Sequence, residues 1–243
     1  MIRVLLAVPS PAPARLHVEG ERHHYLSRVL RVKPGDAVEV FDGRGHAWNA
    51  TVAAVDEDAV ELALGPAREA APASRRVTVI QGLPKGDKLE WIVEKATELG
   101  AYAIAPVRCE RSIVKLDAAR SEKKRERWQK IAEEAARQCR RSEVPKVLPV
   151  MSLEEAARTA AGSGALLILD EEERTRRLSE ALPSSDAPVA LVVGPEGGLS
   201  REEIQRLILL GGVPVTLGDY ILRTETAALA ALSVLRHRDG QLG

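Results

Sequence analysis

Cysteine, aromatic residues and net charge are all in short supply in this 243-residue chain, and each shortage removes a class of function. Its two cysteines, Cys109 and Cys139, are too few and too badly spaced for a disulfide framework or a cysteine-based zinc site. A reducing cytoplasm is the expected compartment. Only 3% of residues are aromatic, which disfavours recognition of a single strand through many stacked bases. Lys and Arg total 35, as do Asp and Glu, so whole-molecule charge points to no partner and only local clustering can. No apolar run approaches the ~20 residues of a membrane span. The run around Val4 to Val8 is cut short by Pro9, Pro11 and Pro13, and the N-terminus lacks the long apolar segment and clear cleavage site of a signal peptide. Neither GxxxxGK[ST] nor GxGxxG occurs, which argues against a P-loop and a Rossmann dinucleotide fingerprint.

What is present suits a globular protein: 45% apolar residues with 29% charged. At roughly 150 residues per domain the length accommodates two units. Near residue 65 the stretch GPAREAAPASRR reads as a linker between apolar segments. Before it, AVEVFD, HAWNATVAAV and AVELAL are separated by KPGD, DGRG and DEDA, turn compositions at close spacing, and predict a small β-barrel of about 70 residues. ERHHYLSRVLR is the exception, with Tyr25, Leu26, Val29 and Leu30 at helical spacing. After the linker, strands alternate with helices: RVTVIQGL, KLEWIVEKATELG, a strand near Ala103 to Val107, a long helix to about Arg141, then ALLILD, ALVVGP and VPVTLG. This rhythm predicts an α/β domain with a mainly parallel sheet covered on both faces. In the first helix Leu89, Ile92, Val93, Ala96 and Leu99 form one stripe, with Gly100 where a left-handed cap is wanted.

Two loops stand out. In ALVVGPEGGLSREEI a buried strand ends at Gly194, and Ser200 with Glu203 makes a capping box for the next helix. Side-chain-free positions at Gly194, Gly197 and Gly198 let a ligand lie against the backbone at the carboxyl end of a strand, where open α/β sheets bind ligands. An ordinary strand-to-helix turn would use the same glycines. In VTLGDYILRTETAALAALSVL a strand ends near Leu217, Gly218 turns the chain, and an alanine-rich helix begins near Thr224. Arg223, at that helix start between apolar residues, needs a carboxylate, phosphate or substrate oxygen.

Between Arg120 and Lys146 ten basic residues face five acidic ones. On a helical wheel Lys123, Arg127, Lys130, Arg137 and Arg141 fall opposite Trp128, Ile131, Ala132, Ala135 and Cys139, giving a basic face and a core face. A solvated charged face is the competing interpretation. A second basic cluster contains Arg22, His23, His24, Arg28, Arg31 and Lys33. Two such patches would suit structured RNA, with phosphates supplying affinity. Adjacent His23 and His24 point apart and make poor joint metal ligands; Trp48, Trp91 and Trp128 read as core, and the cysteines as small buried residues.

The segments LVVGPEGGLS, LGDYILRTETAAL, KGDKLEWIVEKATELG, EAARQCRR followed by Pro145, and HHYLSRVLR with KPGD together resemble the bacterial ribosomal RNA small subunit methyltransferase E family, from about His23 to the C-terminus. The resemblance implies a PUA-like RNA-binding barrel over residues 1–70 and a SPOUT methyltransferase domain with a trefoil knot over 74–243. It implies S-adenosylmethionine-dependent methylation of the N3 position of a uridine in 16S rRNA, on free rRNA or the small ribosomal subunit. A cytoplasmic homodimer without metal or membrane attachment is the expected form. The knot rests on the resemblance alone. The donor is expected at Leu169, Gly194, Glu196, Gly198, Leu217, Gly218, Leu222 and Arg223. RNA contacts are expected from Arg22, His24, Arg28, Arg31, Lys85, Arg111, Arg137 and Arg141.

Methyl transfer from a sulfonium is an in-line displacement, so holding donor and nucleophile at near-attack distance is the protein's main task. The uridine N3 carries a proton, so Glu196 is assigned to orient or deprotonate the imide and Arg223 to stabilise the developing oxygen charge. Glu225 is the other nearby carboxylate. The family commonly starts with Arg followed by aromatics, whereas Val4 and Leu5 follow Arg3 here. A noncatalytic RNA-binding or ribosome-assembly module is the alternative from another class.

Overall fold

A computed structural model describes residues 1–68, 75–114, 117–161, 164–183 and 186–243. The chain forms two compact units: Met1–Ala73 with Ala136–Val144, and Ser74–Ala135 with Pro145–Gly243.

The first unit contains β1 (Ile2–Leu5), β2 (Arg15–Glu19), α1 (Gly20–His24), a π-helical turn (Tyr25–Val29), β3 (Ala37–Phe41), β4 (Ala47–Val55) and β5 (Ala59–Arg68). Its strands lie in the order β1-β3-β4-β5-β2, with β1 parallel to β3 and the remaining pairs antiparallel. The predicted barrel is therefore a five-stranded sheet with no ladder joining β1 to β2 among the described residues. It nonetheless curls, because Val4 from one edge strand and Leu16 and Val18 from the other share a core cluster with Leu26, Val38, Val60 and Leu62.

The helical stripe predicted over Tyr25 to Leu30 is broken. Leu30 N–H bonds the Tyr25 carbonyl at 2.9 Å, five residues back, and that wider turn rotates Val29 outward to 60% exposure while Leu26 stays fully buried. The predicted linker also starts later than Gly65. β5 runs on to Arg68 beside β4, and its β2 partners end at Ala63, so Pro66 costs no ladder bond on that side. The rest of that linker, with the predicted domain boundary at 70–74, lies outside the described residues.

Residues Ala136–Val144 group with this first unit, although the sequence placed them within the second domain. Arg3 accounts for much of this. Its Nε donates to Glu39 Oε1 at 2.6 Å and its Nη1 to the Ala136 carbonyl at 2.8 Å, with the guanidinium 4.1 Å from the Phe41 ring centroid. Val144 N–H adds a bond to the Gly43 carbonyl at 2.9 Å.

The second unit is built on a sheet of order β12-β10-β11-β6-β7-β8, with β9 also on β7, and every pairing in it is parallel. The strands are β6 (Val77–Gly82), β7 (Ala103–Arg108), β8 (Lys146–Val147), β9 (Met151–Ser152), β10 (Ala165–Leu169), β11 (Val189–Val193) and β12 (Gly212–Val215). The helices are α2 (Lys88–Glu98), α3 (Ala118–Gln138), α4 (Leu153–Ala161), α5 (Leu178–Ala181), α6 (Arg201–Leu209) and α7 (Thr224–Arg238). The mainly parallel α/β sheet is as expected. β8, β9 and α4 lay unread between the long helix and ALLILD; α4 contributes Leu153, Ala156 and Ala157 to the core.

In α2 the stripe buries Leu89, Ile92, Val93 and Ala96, and Gly100 follows with φ +85°. Trp91 falls off that stripe and is 43% exposed, unlike Trp48 at 5% and Trp128 at 2%, so it is not a core residue. α6 starts with the expected capping box: Glu203 N–H donates to Ser200 Oγ at 3.1 Å and Ser200 N–H to Glu203 Oε2 at 2.8 Å. No helix among the described residues is long and apolar enough to cross a membrane.

Candidate functional site

Parallel strands direct their carboxyl ends to one side of a sheet, and loops from neighbouring strands meet there. The ends of β10, β11 and β12 frame a cavity of about 340 Å³, within the size range of small-molecule sites. Leu169 closes β10, Gly194, Glu196 and Gly198 come from the loop after β11, and Leu217, Gly218, Leu222 and Arg223 come from the loop after β12. All eight residues singled out for the donor line this one cavity. Val193, Val215 and Ile204 add apolar wall, and Asp170, Glu171, Arg174 and Lys88 add charge.

The loop after β11 is close-packed. A Cβ on Gly194 would come within 2.9 Å of the Gly198 carbonyl carbon and 3.0 Å of Leu199 N, and Gly198 itself has φ +68°. Thr224 Oγ1 donates to the Gly194 carbonyl at 2.6 Å, and Gln81 Nε2 donates to Thr224 Oγ1 at 2.8 Å. The two glycine loops are thus tied together from beneath by a fully buried glutamine.

Lys88, on the first turn of α2, organises the cavity's acidic side. Its Nζ lies 2.9 Å from Glu196 Oε1 and 3.3 Å from Glu225 Oε2, and the Glu196 hydrogen bond, then Glu225, raise its pKa against burial. Glu196 also accepts from Lys85 N–H at 3.1 Å. Burial works to raise the Glu196 pKa, but the Lys88 ammonium and backbone N–H groups outweigh it and leave the carboxyl below its ordinary value. Glu196 is therefore an ionised hydrogen-bond acceptor of low basicity.

At the β10 end, Asp170 receives a two-pronged bond from Arg201, 2.6 and 2.9 Å. Burial opposes ionisation of Asp170, yet Arg201 and the Glu172 N–H hold its pKa below the usual range. The exposed Arg223 side chain, by contrast, makes no hydrogen bond or ion pair among the described residues. Its backbone caps α7, leaving the guanidinium available at the cavity.

The residues expected to touch RNA divide between the units. Lys85 and Arg111 are exposed beside the loop after β11, Arg111 Nη1 donating to the Gly197 carbonyl at 2.9 Å. In the first unit Arg22, His24, Arg28 and Arg31 are exposed, whereas Arg137 and Arg141 are half-buried. Burial lowers the Arg141 pKa. The basic face of α3 is exposed at Lys123, Arg127 and Lys130, with Arg127 paired to Glu90 at 2.7 Å.

Sequence reasoning missed Gln81, Lys88, Asp170, Arg201 and Thr224. Gln81 carried a signal, a polar residue at an inward position of the apolar strand VTVIQG. Asp170 carried another, closing ALLILD. The pairings of Lys88 and Arg201 carried none, since their partners lie far away in sequence. No group of three or more His, Cys, Asp or Glu among the described residues is placed to hold a metal ion.

An all-parallel α/β domain with a ligand-sized cavity of glycine loops at its strand ends, together with a small mixed-sheet domain, matches the class of RNA methyltransferases with an accessory PUA domain, to which the domain models assign it. The RNA methyltransferase domain model matches residues 71–236, and the RNA methyltransferase PUA domain model matches residues 18–64. The chain belongs to the ribosomal RNA small subunit methyltransferase E family. It is 38% identical over 229 residues to the Bacillus subtilis member, covering 91% of this chain and 89% of that one. The Mycobacterium bovis member is 34% identical over 221 residues, 90% of this chain and 84% of the relative. Among solved structures, the Neisseria gonorrhoeae member bound to S-adenosyl methionine superposes with a TM-score of 0.85 at 33% identity, covering 98% of both chains. A Legionella pneumophila methyltransferase in complex with the same cofactor gives 0.85 at 32% identity, covering 98% of this chain and 97% of that one.

Proposed function

We propose that this chain methylates the N3 position of a specific uridine in 16S rRNA, using S-adenosylmethionine held in the cavity at the ends of β10, β11 and β12. The observation that carries this reading is the convergence of the two glycine loops, separated in the chain by α6 and β12, on one cavity of about 340 Å³. Its residues fit the donor: Leu169, Val193, Leu217 and Leu222 offer apolar wall for a nucleoside, glycine backbone offers hydrogen-bonding groups at close approach, and Glu196 and Asp170 offer negative charge. When bound, S-adenosylmethionine supplies a methyl group activated on a sulfonium.

The chain's own residues then divide the work. Glu196, kept ionised by Lys88, accepts a hydrogen bond from the imide N3–H, holds the nitrogen for in-line attack and takes up its proton as the methyl group moves from sulfur to N3, passing that proton on to water. Arg223 donates to the adjoining uracil oxygen, where negative charge builds on loss of that proton. Lys88 is a positioning residue acting through Glu196. RNA contacts come from Lys85 and Arg111 beside the cavity and from Arg22, His24, Arg28, Arg31, Arg137 and Arg141 in the first unit, phosphates supplying most of the affinity.

In the same reading residues 1–70, with Ala136–Val144 grouped with them, form the RNA-docking domain and the rest of 74–243 a SPOUT domain knotted as a trefoil, and the protein works in the cytoplasm as a homodimer. Tyr220 and Ile221, 87% and 72% exposed in the loop after β12, support the dimer, since a second copy would cover them.

The test is single-turnover transfer of a labelled methyl group to small subunits lacking the modification, with the product nucleoside identified by mass spectrometry. N3-methyluridine at one site is expected. Label on another atom or base would overturn the assignment, and calorimetry showing no binding of S-adenosylmethionine would favour the noncatalytic module.

A further inference from the structure

A second cavity, of about 320 Å³, lies in the first unit and takes no part in donor binding. Ile2, Arg3, Leu30, Glu39, Arg137 and Arg140 line it. Its floor holds a charged pair taken out of water: Arg3 is 8% and Glu39 5% exposed. Both Arg3 Nε, at 2.6 Å, and Arg68 Nη2, at 2.8 Å, converge on the same carboxylate oxygen, Glu39 Oε1. The other oxygen, Oε2, accepts no hydrogen bond among the described residues and is not among the buried atoms left without a partner. A carboxylate fixed on one side and open on the other is a directional acceptor.

The rim is of opposite character. Arg140 is exposed, its guanidinium has no hydrogen bond or ion pair among the described residues, and its backbone sits at φ +65°, a conformation that L side chains rarely adopt. That conformation closes α3 as a left-handed cap, Arg141 N–H reaching back to the Ala136 carbonyl at 3.0 Å, and it fixes where the Arg140 side chain leaves the backbone at the rim. Ile2 and Leu30 supply apolar surface between rim and floor.

We propose that this cavity binds one unpaired nucleotide of the RNA, its phosphate on Arg140 and its base within, donating an exocyclic amino hydrogen to Glu39 Oε2. Cytosine, adenine and guanine carry such a group; uracil does not. Carboxylates read amino groups on base edges in this way. The cavity therefore reads a nucleotide other than the target uridine and contributes to the choice of site. This rests on RNA being the substrate, and not on where the methyl donor binds.

The experiment titrates the full chain with the trinucleotides 5′-UCU-3′, 5′-UAU-3′, 5′-UGU-3′ and 5′-UUU-3′ and with inorganic phosphate, following the Leu30 methyl groups by NMR. At least one amino-bearing trinucleotide is expected to shift Leu30 and to bind tighter than 5′-UUU-3′ by about tenfold or more, the effect of one hydrogen bond to a charged acceptor. Arg140→Gly keeps the left-handed backbone, so the fold should be no less stable while the preferred trinucleotide binds about fivefold more weakly. Equal binding of all four trinucleotides, phosphate matching the best of them, or an Arg140→Gly variant that binds as wild type would each overturn the proposal. Donor affinity measured by calorimetry on the same samples separates the two readings: trinucleotide discrimination without donor binding sinks the methyltransferase assignment and leaves this site standing.

Discussion

Adding one methyl group at Gly194 should disable the donor cavity far more than adding it three residues on. An alanine Cβ there would lie 2.9 Å from Gly198 C, 3.0 Å from Leu199 N and 3.1 Å from Gly198 Cα. Every one of these atoms is backbone, so no rotamer change relieves the overlap, and overpacking of this kind costs ~1–3 kcal/mol. The cheapest relaxation moves the 198–199 segment, and Gly198 and Leu199 line the cavity. Part of the cost therefore falls on binding, and at 1.4 kcal/mol per factor of ten we expect donor affinity to drop by about tenfold. Gly197 is the control. A Cβ there meets nothing nearer than Arg111 Cβ at 3.2 Å and Cδ at 3.6 Å, so a shift of the exposed Arg111 by a few tenths of an ångström accommodates it. Isothermal calorimetry with S-adenosylmethionine on Gly194→Ala and Gly197→Ala, beside thermal melts to confirm folding, reads the difference. Equal affinities for the two variants would refute the packing argument.

Three further outcomes follow from the geometry. Lys88→Met removes the group that holds Glu196 ionised; burial then dominates, the Glu196 pKa rises, and the acidic limb of the kcat profile should move to higher pH. In the wild type the ion pair is present above the ordinary carboxylate pKa and is lost only as pH falls through the depressed value, so a limb left unmoved by the substitution would count against this role for Lys88. Arg236, 4% exposed, donates to the carbonyls of Arg75, Leu99 and Gly100; Arg236→Ala strands the buried Arg75 acceptor and two half-buried ones and should cost ~3 kcal/mol in denaturant unfolding, a value under 1 kcal/mol being contrary. Burial first, then the nearby Glu203 charge, push the Cys109 thiol up to about 12, so at pH 8 iodoacetamide should label the half-buried Cys139 and spare Cys109 in the native protein; equal labelling would show that Cys109 is not sealed.

Much of the site was legible in the residues because it is made of loops whose chemistry is local. Gly194, Gly197 and Gly198 after a buried strand, a Ser200–Glu203 box opening the next helix, and Arg223 before an alanine-rich helix are all readable in a window of a few residues, and hydrophobic alternation fixes which side of the linker holds the parallel sheet. Where the reading went astray, a neighbour distant in sequence decided. Gly65 and Pro66 look like a linker until β4 pairs on either side of them, at Leu64 and Ala67, and Val29 belongs to an apolar stripe until a π-helical turn rotates it into solvent.

What the amino-acid order determined without help, then, was local: element type, caps, turns, and the presence of two ligand-ready bends. Tertiary structure alone decided that those bends share a cavity, that Lys88 stands between Glu196 and Glu225, that Arg3 is spent on Glu39 and the Ala136 carbonyl, and that Ala136–Val144 joins the first unit. The physical reason is one of range. Backbone sterics and hydrophobic period act over a turn or a strand, whereas an ion pair or a packed wall depends on where the sheet brings residues from about twenty to more than a hundred positions apart.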